Sequence, residues 1–173
     1  MIDPIEKRLL EAARLASEDA YCKYSKFPVG AAIETVGGRQ FVGCNVENAS
    51  YGLTVCAERV AMFCAVAAGE LELKKDSREY QRKFIRALAV TCPKGSEGDP
   101  NSLMPCGACR QVMAEFLTDD AVIFVDGIGS FSLKELLPHP FVLRESDEMS
   151  KGSHSRRPRL IANAKTSHKH VSP

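Results

Sequence analysis

Two short segments of this 173-residue chain hold residue types that can do chemistry together. One is Cys56-Ala57-Glu58-Arg59, and the other is Pro105-Cys106-Gly107-Ala108-Cys109-Arg110. Each falls where a helix is expected to begin. Cys106 and Cys109 are three apart, so they share one helical face. With a third thiolate from Cys56 they make three ligands, and three protein ligands plus one open position is the pattern of a catalytic zinc. Unpaired N–H groups and the positive dipole end at a helix start favour thiolate over thiol. Glu58 lies two residues after Cys56. In a first turn, side chains tilt back toward the N-terminus, so both reach the space ahead of the helix. A carboxylate there would move protons rather than bind the metal. Three thiolates around Zn²⁺ sum to −1, and Arg59 with the two helix ends can offset that charge.

A C-x-x-C pair alone is also half of a closed zinc site or a redox pair. A closed site needs a fourth ligand from Cys22, Cys44, Cys64, Cys92 or His139, and none of these forms a second close pair. A redox motif more often holds its Pro inside. The combination of Cys-Ala-Glu with Pro-Cys-x-x-Cys about fifty residues later is far more specific, because it is the signature of the zinc deaminases.

The elements that must position these groups are legible in outline. Asp3-Pro4-Ile5-Glu6 opens a helix, with Asp3 as cap, Pro4 at the first position and Glu6 where a capping acid sits. Its apolar stripe from Ile5 to Ala20 predicts an end near Tyr21. A strand from Val29 to Thr35, the turn Val36-Gly37-Gly38-Arg39 and a strand from Gln40 to Cys44 predict a hairpin. Residues 45–55 read as a loop. A second helix runs from Cys56 to Ala68, and its stretch from Val60 to Ala68 is apolar all round, which predicts burial on every side and a subunit interface. Residues 71–83 are a charged surface segment, 84–91 a strand and 92–104 a loop. A third helix runs from Pro105 to about Leu117. A strand from Ala121 to Val125, then a short strand and a short helix ending at Pro138, complete the body. The order predicts a three-layer α-β-α sandwich with a mixed, mostly five-stranded sheet.

Charge divides the chain. Residues 151–173 hold six basic and no acidic residues, leaving 17 basic against 22 acidic elsewhere. Residues 1–147 are therefore expected to form the catalytic domain. Residues 148–173 are expected to be a basic, disordered tail, too poor in apolar residues to pack. An acidic body argues against nucleic acid as a partner. No apolar run is long enough to span a membrane. Met1 to Arg8 lack an apolar signal core, so the chain is expected to be cytoplasmic, with nuclear passage left open. Seven cysteines without a signal peptide are expected to be reduced, and Cys22, Cys44, Cys64 and Cys92 to be buried filler.

The sequence closely resembles the homotetrameric, three-cysteine cytidine deaminases. The resemblance rests on residues 21–32, 43–59 and 105–112, on Glu115-Phe116, and on Leu136-Leu137-Pro138 with Phe141. It covers about residues 5–143, with 71–83 and 92–104 longer than is usual in the family. It implies one zinc per subunit on Cys56, Cys106 and Cys109, with Glu58 as proton shuttle. Arg59 would hydrogen-bond the ligand thiolates. Asn45 and Glu47 would bind the ribose hydroxyls. Phe27 would pack on the pyrimidine, and the Ala57 backbone would line the base pocket. Tyr51 and Phe141 would reach a neighbouring subunit's site. It further implies hydrolytic deamination of cytidine and 2′-deoxycytidine in pyrimidine salvage. The blasticidin S type of deaminase shares the zinc motifs but lacks the segment Asn45-x-Glu47-Asn48-Ala49.

Overall fold

The first helix, α1, spans Pro4–Glu18. The Asp3 side chain accepts from the Ile5 N–H at 2.8 Å, and Pro4 occupies the first turn. In this computed structural model, residues 3–71, 83–95 and 99–142 are described. The charged segment at 72–82 and the tail from 143 lie outside them. Helix α1 stops three residues short of Tyr21 because the chain there turns to other partners. The Tyr21 N–H donates to Asn45 O, and the Glu47 N–H donates to Tyr21 O.

The hairpin forms as expected, from β1 (Gly30–Thr35) and β2 (Gln40–Cys44), with Ala32 opposite Val42. Helix α2 spans Ala57–Ala67 and strand β3 Ile85–Thr91. Helix α3 spans Gly107–Phe116 and strand β4 Leu117–Val125. Strand β5 (Gly129–Ser132) and helix α4 (Leu133–Leu136) follow. The loop expected at 92–104 contains one turn of tighter helix at Pro100–Ser102.

The five strands lie in the order β2-β1-β3-β4-β5. Only β3 and β4 run parallel, joined by the crossover through α3, so the sheet is mixed. Leu9 and Ala13 of α1 pack against Ala32, Ala87, Ala89 and Phe124 on one face. On the other, Ala61, Met62 and Ala65 of α2 and Met113 of α3 pack against Ile33, Leu88, Val90 and Ile123. This is the predicted α-β-α layering.

Two glycines set how closely the helices approach. A Cβ on Gly30 would lie 1.9 Å from Ala13 O, so α1 rests on the backbone of β1. A Cβ on Gly43 would lie 2.5 Å from Ala61 N and 2.6 Å from Ala57 O, so α2 rests likewise on β2. Between β1 and β3, Glu34 is a buried carboxylate. Arg8, Arg86 and Gln40 all donate to it, with Arg86 Nε at 2.8 Å. On the same side of the sheet, Arg14 of α1 grips Asp126 beyond β4 through two hydrogen bonds, and Thr91 donates to that carboxylate at 2.7 Å.

Two expectations about burial are corrected. Helix α2 is not enclosed within the chain, since Phe63 and Cys64 are exposed. The sheet covers the small residues Ala57, Ala61 and Ala65, and the bulkier Phe63 projects away. Nor are the four remaining cysteines buried filler. Cys22, Cys44 and Cys92 are half-buried and Cys64 is exposed. Cys44 ends a strand and Cys92 follows one, where the layers no longer cover both sides.

Candidate active site

Cys56 immediately precedes α2 and Cys106 immediately precedes α3, both in extended backbone at the capping position. Neither makes the side-chain cap that Ser or Asp would supply. Their sulfurs instead turn toward each other, 3.9 Å apart, and Cys109, one turn into α3, lies 3.5 Å from Cys106. All three sulfurs fall within 4.8 Å of one another. Tetrahedral zinc with bonds of about 2.3 Å places its sulfurs about 3.8 Å apart, close to the two separations seen here, so the trio fits the ion. Among the described residues, no fourth Cys, His, Asp or Glu joins this group, which leaves one coordination position for solvent or substrate. The closed four-ligand alternative finds no support in the described residues.

The sulfurs are electrostatically distinct. The Cys56 thiol falls to about 5, first because Cys109 hydrogen-bonds its thiolate and then because Arg59 adds a donor and a positive charge. Cys109 moves up, through the same hydrogen bond and its burial. Arg59 Nη2 lies 3.4 Å from Cys56 Sγ and 3.2 Å from Thr54 O. Its Nε is buried and finds no acceptor among the described residues. That unspent donor beside the sulfurs suits a site where negative charge gathers. Glu58 is almost fully buried in the first turn of α2, and burial pushes its carboxyl above the usual range, with the Cys56 charge adding to the effect.

Asn45 and Glu47 follow β2 and hold the loop at residues 24–29. The Asn45 amide donates to Phe27 O at 3.0 Å, and its Oδ1 accepts from the Val29 N–H at 2.9 Å. Glu47 Oε2 accepts from the Tyr24 N–H at 2.8 Å and the Ser25 N–H at 3.2 Å. Hydrogen bonding from the Ser25 side chain leads in holding its carboxyl below the usual range, with the Tyr24 and Ser25 amides adding to it. Phe27 is half-buried and Ala57 is buried. Tyr51 and Phe141 are 76% and 71% exposed. Tyr21 and Tyr24 are also exposed, and Tyr24 meets Tyr51 edge to face at 6.2 Å.

Two contributors escaped the sequence reading. Thr54 lends Arg59 its carbonyl, which a list of side-chain functions does not reveal. Gln111 brackets the Phe141 backbone, donating to its oxygen at 2.8 Å and accepting from its N–H at 3.0 Å. Its signal was its place on α3, one turn and a residue beyond Cys106.

Residues 4–125 match the family described as the cytidine and deoxycytidylate deaminase zinc-binding region. The chain belongs to this family. It is 39% identical over 139 residues to a cytidine deaminase of Sporosarcina psychrophila, covering 78% of this chain and 90% of that protein. A cytidine deaminase of Halalkalibacterium halodurans is 38% identical, with 81% of this chain and 96% of that one covered. Among solved structures, cytidine deaminase from Burkholderia pseudomallei superposes with a TM-score of 0.64 at 41% identity, over 78% of this chain and 98% of that one. The chain is thus a zinc-dependent hydrolytic deaminase by family, and its three-sulfur cluster fits one zinc per chain.

Proposed function

We propose that the protein converts cytidine and 2′-deoxycytidine to uridine and 2′-deoxyuridine, taking up water and releasing ammonia. The observation that carries this reading is the trio of sulfurs at two helix starts with the buried Glu58 beside them. Cys56, Cys106 and Cys109 would hold the zinc, which when bound would make a water acidic enough to act as nucleophile near neutral pH. Glu58 is the group placed to take up the water's proton. A carboxyl raised by burial is matched to accepting a proton near neutrality and giving it up again. It passes that proton to N3 of the cytosine ring as hydroxide adds to C4, then takes the proton of the new C4 hydroxyl and delivers it to the amine, so that the C4–N bond breaks and ammonia leaves. Arg59 hydrogen-bonds Cys56 and lowers the negative charge on the sulfurs. Phe27 packs on the pyrimidine and the Ala57 backbone lines its pocket. Asn45 and Glu47 bind the ribose hydroxyls. Glu47 spends Oε2 on the loop, so Oε1 is the oxygen for the sugar.

The proposed assembly is a homotetramer. Tyr51 and Phe141 would complete a neighbour's site, and the exposed Phe63 of α2 would be covered. Residues 1–147 would carry the reaction, with 148–173 as an appendage, in cytoplasmic pyrimidine salvage. Nucleic acid and membranes are not partners in this reading. Among the described residues, no helix is long and apolar enough to cross a membrane.

The test pairs cytidine turnover with zinc analysis. Glu58→Gln should keep its zinc and lose about 10²–10⁴-fold in turnover, the range of general acid–base catalysis. Cys106→Ala should lose zinc. Wild-type turnover in Glu58→Gln would refute the mechanism. Faster turnover of blasticidin S than of cytidine would move the substrate to that branch, and light scattering decides the tetramer.

A further inference from the structure

We propose that Lys94 is a positioning residue that ties the ligand-bearing segment before α3 to the backbone beside Phe27. Lys26 sits at φ 59°, the left-handed region that side chains disfavour. Such a conformation persists only where its surroundings dictate it. The Lys26 N–H donates to Cys22 O at 2.9 Å, and the Phe27 N–H donates to Ser25 Oγ at 3.0 Å. Asn45 and Glu47 hold the neighbouring amides and the Phe27 carbonyl. The carbonyl of Lys26 itself accepts from Lys94 Nζ at 3.1 Å. This contact reaches the loop from outside the 45–47 segment.

Lys94 is aimed from a tight turn, in which the Gly95 N–H donates to Cys92 O at 2.8 Å. That turn is seated against Leu103, which is buried three residues ahead of Cys106. A Cβ on Gly95 would lie 2.1 Å from Leu103 Cδ2. The segment that leads into Cys106 is therefore linked through Leu103 and the Cys92–Gly95 turn to Lys94, and through the Lys26 carbonyl to the residue before Phe27. Lys94 sets the height of the Phe27 ring over the base relative to the zinc. It belongs to the stretch between β3 and α3 that is long for the family.

The proposal rests on the cytidine deaminase reading, since it takes Phe27 to face the base. A residue that positions the base equally in ground and transition states acts on KM and not on kcat. The experiment compares wild type, Lys94→Met and Lys94→Arg by cytidine kinetics, zinc content and amide exchange of the peptide covering residues 23–29. Lys94→Met should raise KM about 5-fold, the worth of one exposed hydrogen bond. Its kcat should stay within about 2-fold and its zinc content should be unchanged. The amides of Tyr24, Ser25, Phe27 and Val29 should exchange faster, and Lys94→Arg should restore both KM and protection. Wild-type KM and protection in Lys94→Met would overturn the proposal, as would a fall in kcat at constant KM. A wild-type protein that is inert toward cytidine would refute the substrate reading. The exchange comparison would still decide the brace.

Discussion

Replacing Gly43 by alanine probes the seating of α2, the helix that follows Cys56 and carries Glu58. The new Cβ would stand 2.5 Å from Ala61 N, 2.6 Å from Ala57 O and 2.8 Å from Val60 Cβ, whereas ordinary contact begins at 3.4 Å. Two of those atoms belong to the backbone of α2, so no side chain can swing aside. The helix must retreat by about 1 Å, and overpacking of this kind costs ~1–3 kcal/mol. At ~2–4 °C per kcal/mol for a domain of this size, Tm should fall by roughly 5 °C. The retreat also carries Cys56 and Glu58 away from Cys106 and Cys109, which ride on α3. A misplacement of about 1 Å costs on the order of 10² in rate. Loss of the cytosine ultraviolet absorbance gives kcat, and calorimetry gives Tm. Val42→Ala is the control, because that side chain is 48% exposed and should change little. A Gly43→Ala protein with wild-type Tm and wild-type kcat would refute the close seating of α2 on β2 and the dependence of catalysis on it.

Removing the Arg59 guanidinium as Arg59→Met takes a donor from Cys56 Sγ, and zinc affinity should fall by about 10–100-fold in a chelator competition. Glu34→Gln leaves Arg8 and Arg86 without their carboxylate. Both arginines are about half exposed, so the loss is discounted to about 1–2 kcal/mol, read as a lowered urea midpoint. Arg14 holds the Asp126 carboxyl below its usual range. A depressed folded pKa adds stability above the unfolded value of about 3.9 and loses it as pH falls through the folded one. The Tm gap between wild type and Arg14→Met should therefore be full at neutral pH and shrink below about pH 4. A gap independent of pH would refute the linkage.

The parts of the fold written in local chemistry were legible before any coordinates. Asp3-Pro4 announced α1, the paired glycines announced the hairpin, and the Pro105-Cys106 start of α3 was right to within two residues. What needed the structure was decided across the chain. The end of α1 depends on Tyr21 pairing with the 45–47 backbone. The early half of β4 is Leu117-Thr118-Asp119-Asp120, a polar stretch held in the sheet by its Ile85–Leu117 pairing to β3. Spacing brought Cys56, Cys106, Cys109 and Glu58 together as candidates. The grip of Asn45 and Glu47 on the loop before Phe27 was not readable, because the amides they bind lie about twenty residues away. Which face of α2 the sheet covers was not readable, because an apolar helix does not declare it.

The three sulfurs also span the chain unevenly. Cys106 and Cys109 are neighbours on one turn, whereas Cys56 lies 50 residues before Cys106. An ion joining all three is thus a cross-link that closes a long loop, with β3 threaded between its ends. Closing a loop of about 50 residues restricts the unfolded chain by about 4 kcal/mol in the chain-entropy account. The local pair can capture a metal early, but the third bond forms only after α2 and α3 have both docked on the sheet. A spectroscopically visible metal such as cobalt would then time the assembly of this domain, with its last change of colour marking the moment the crossover is complete.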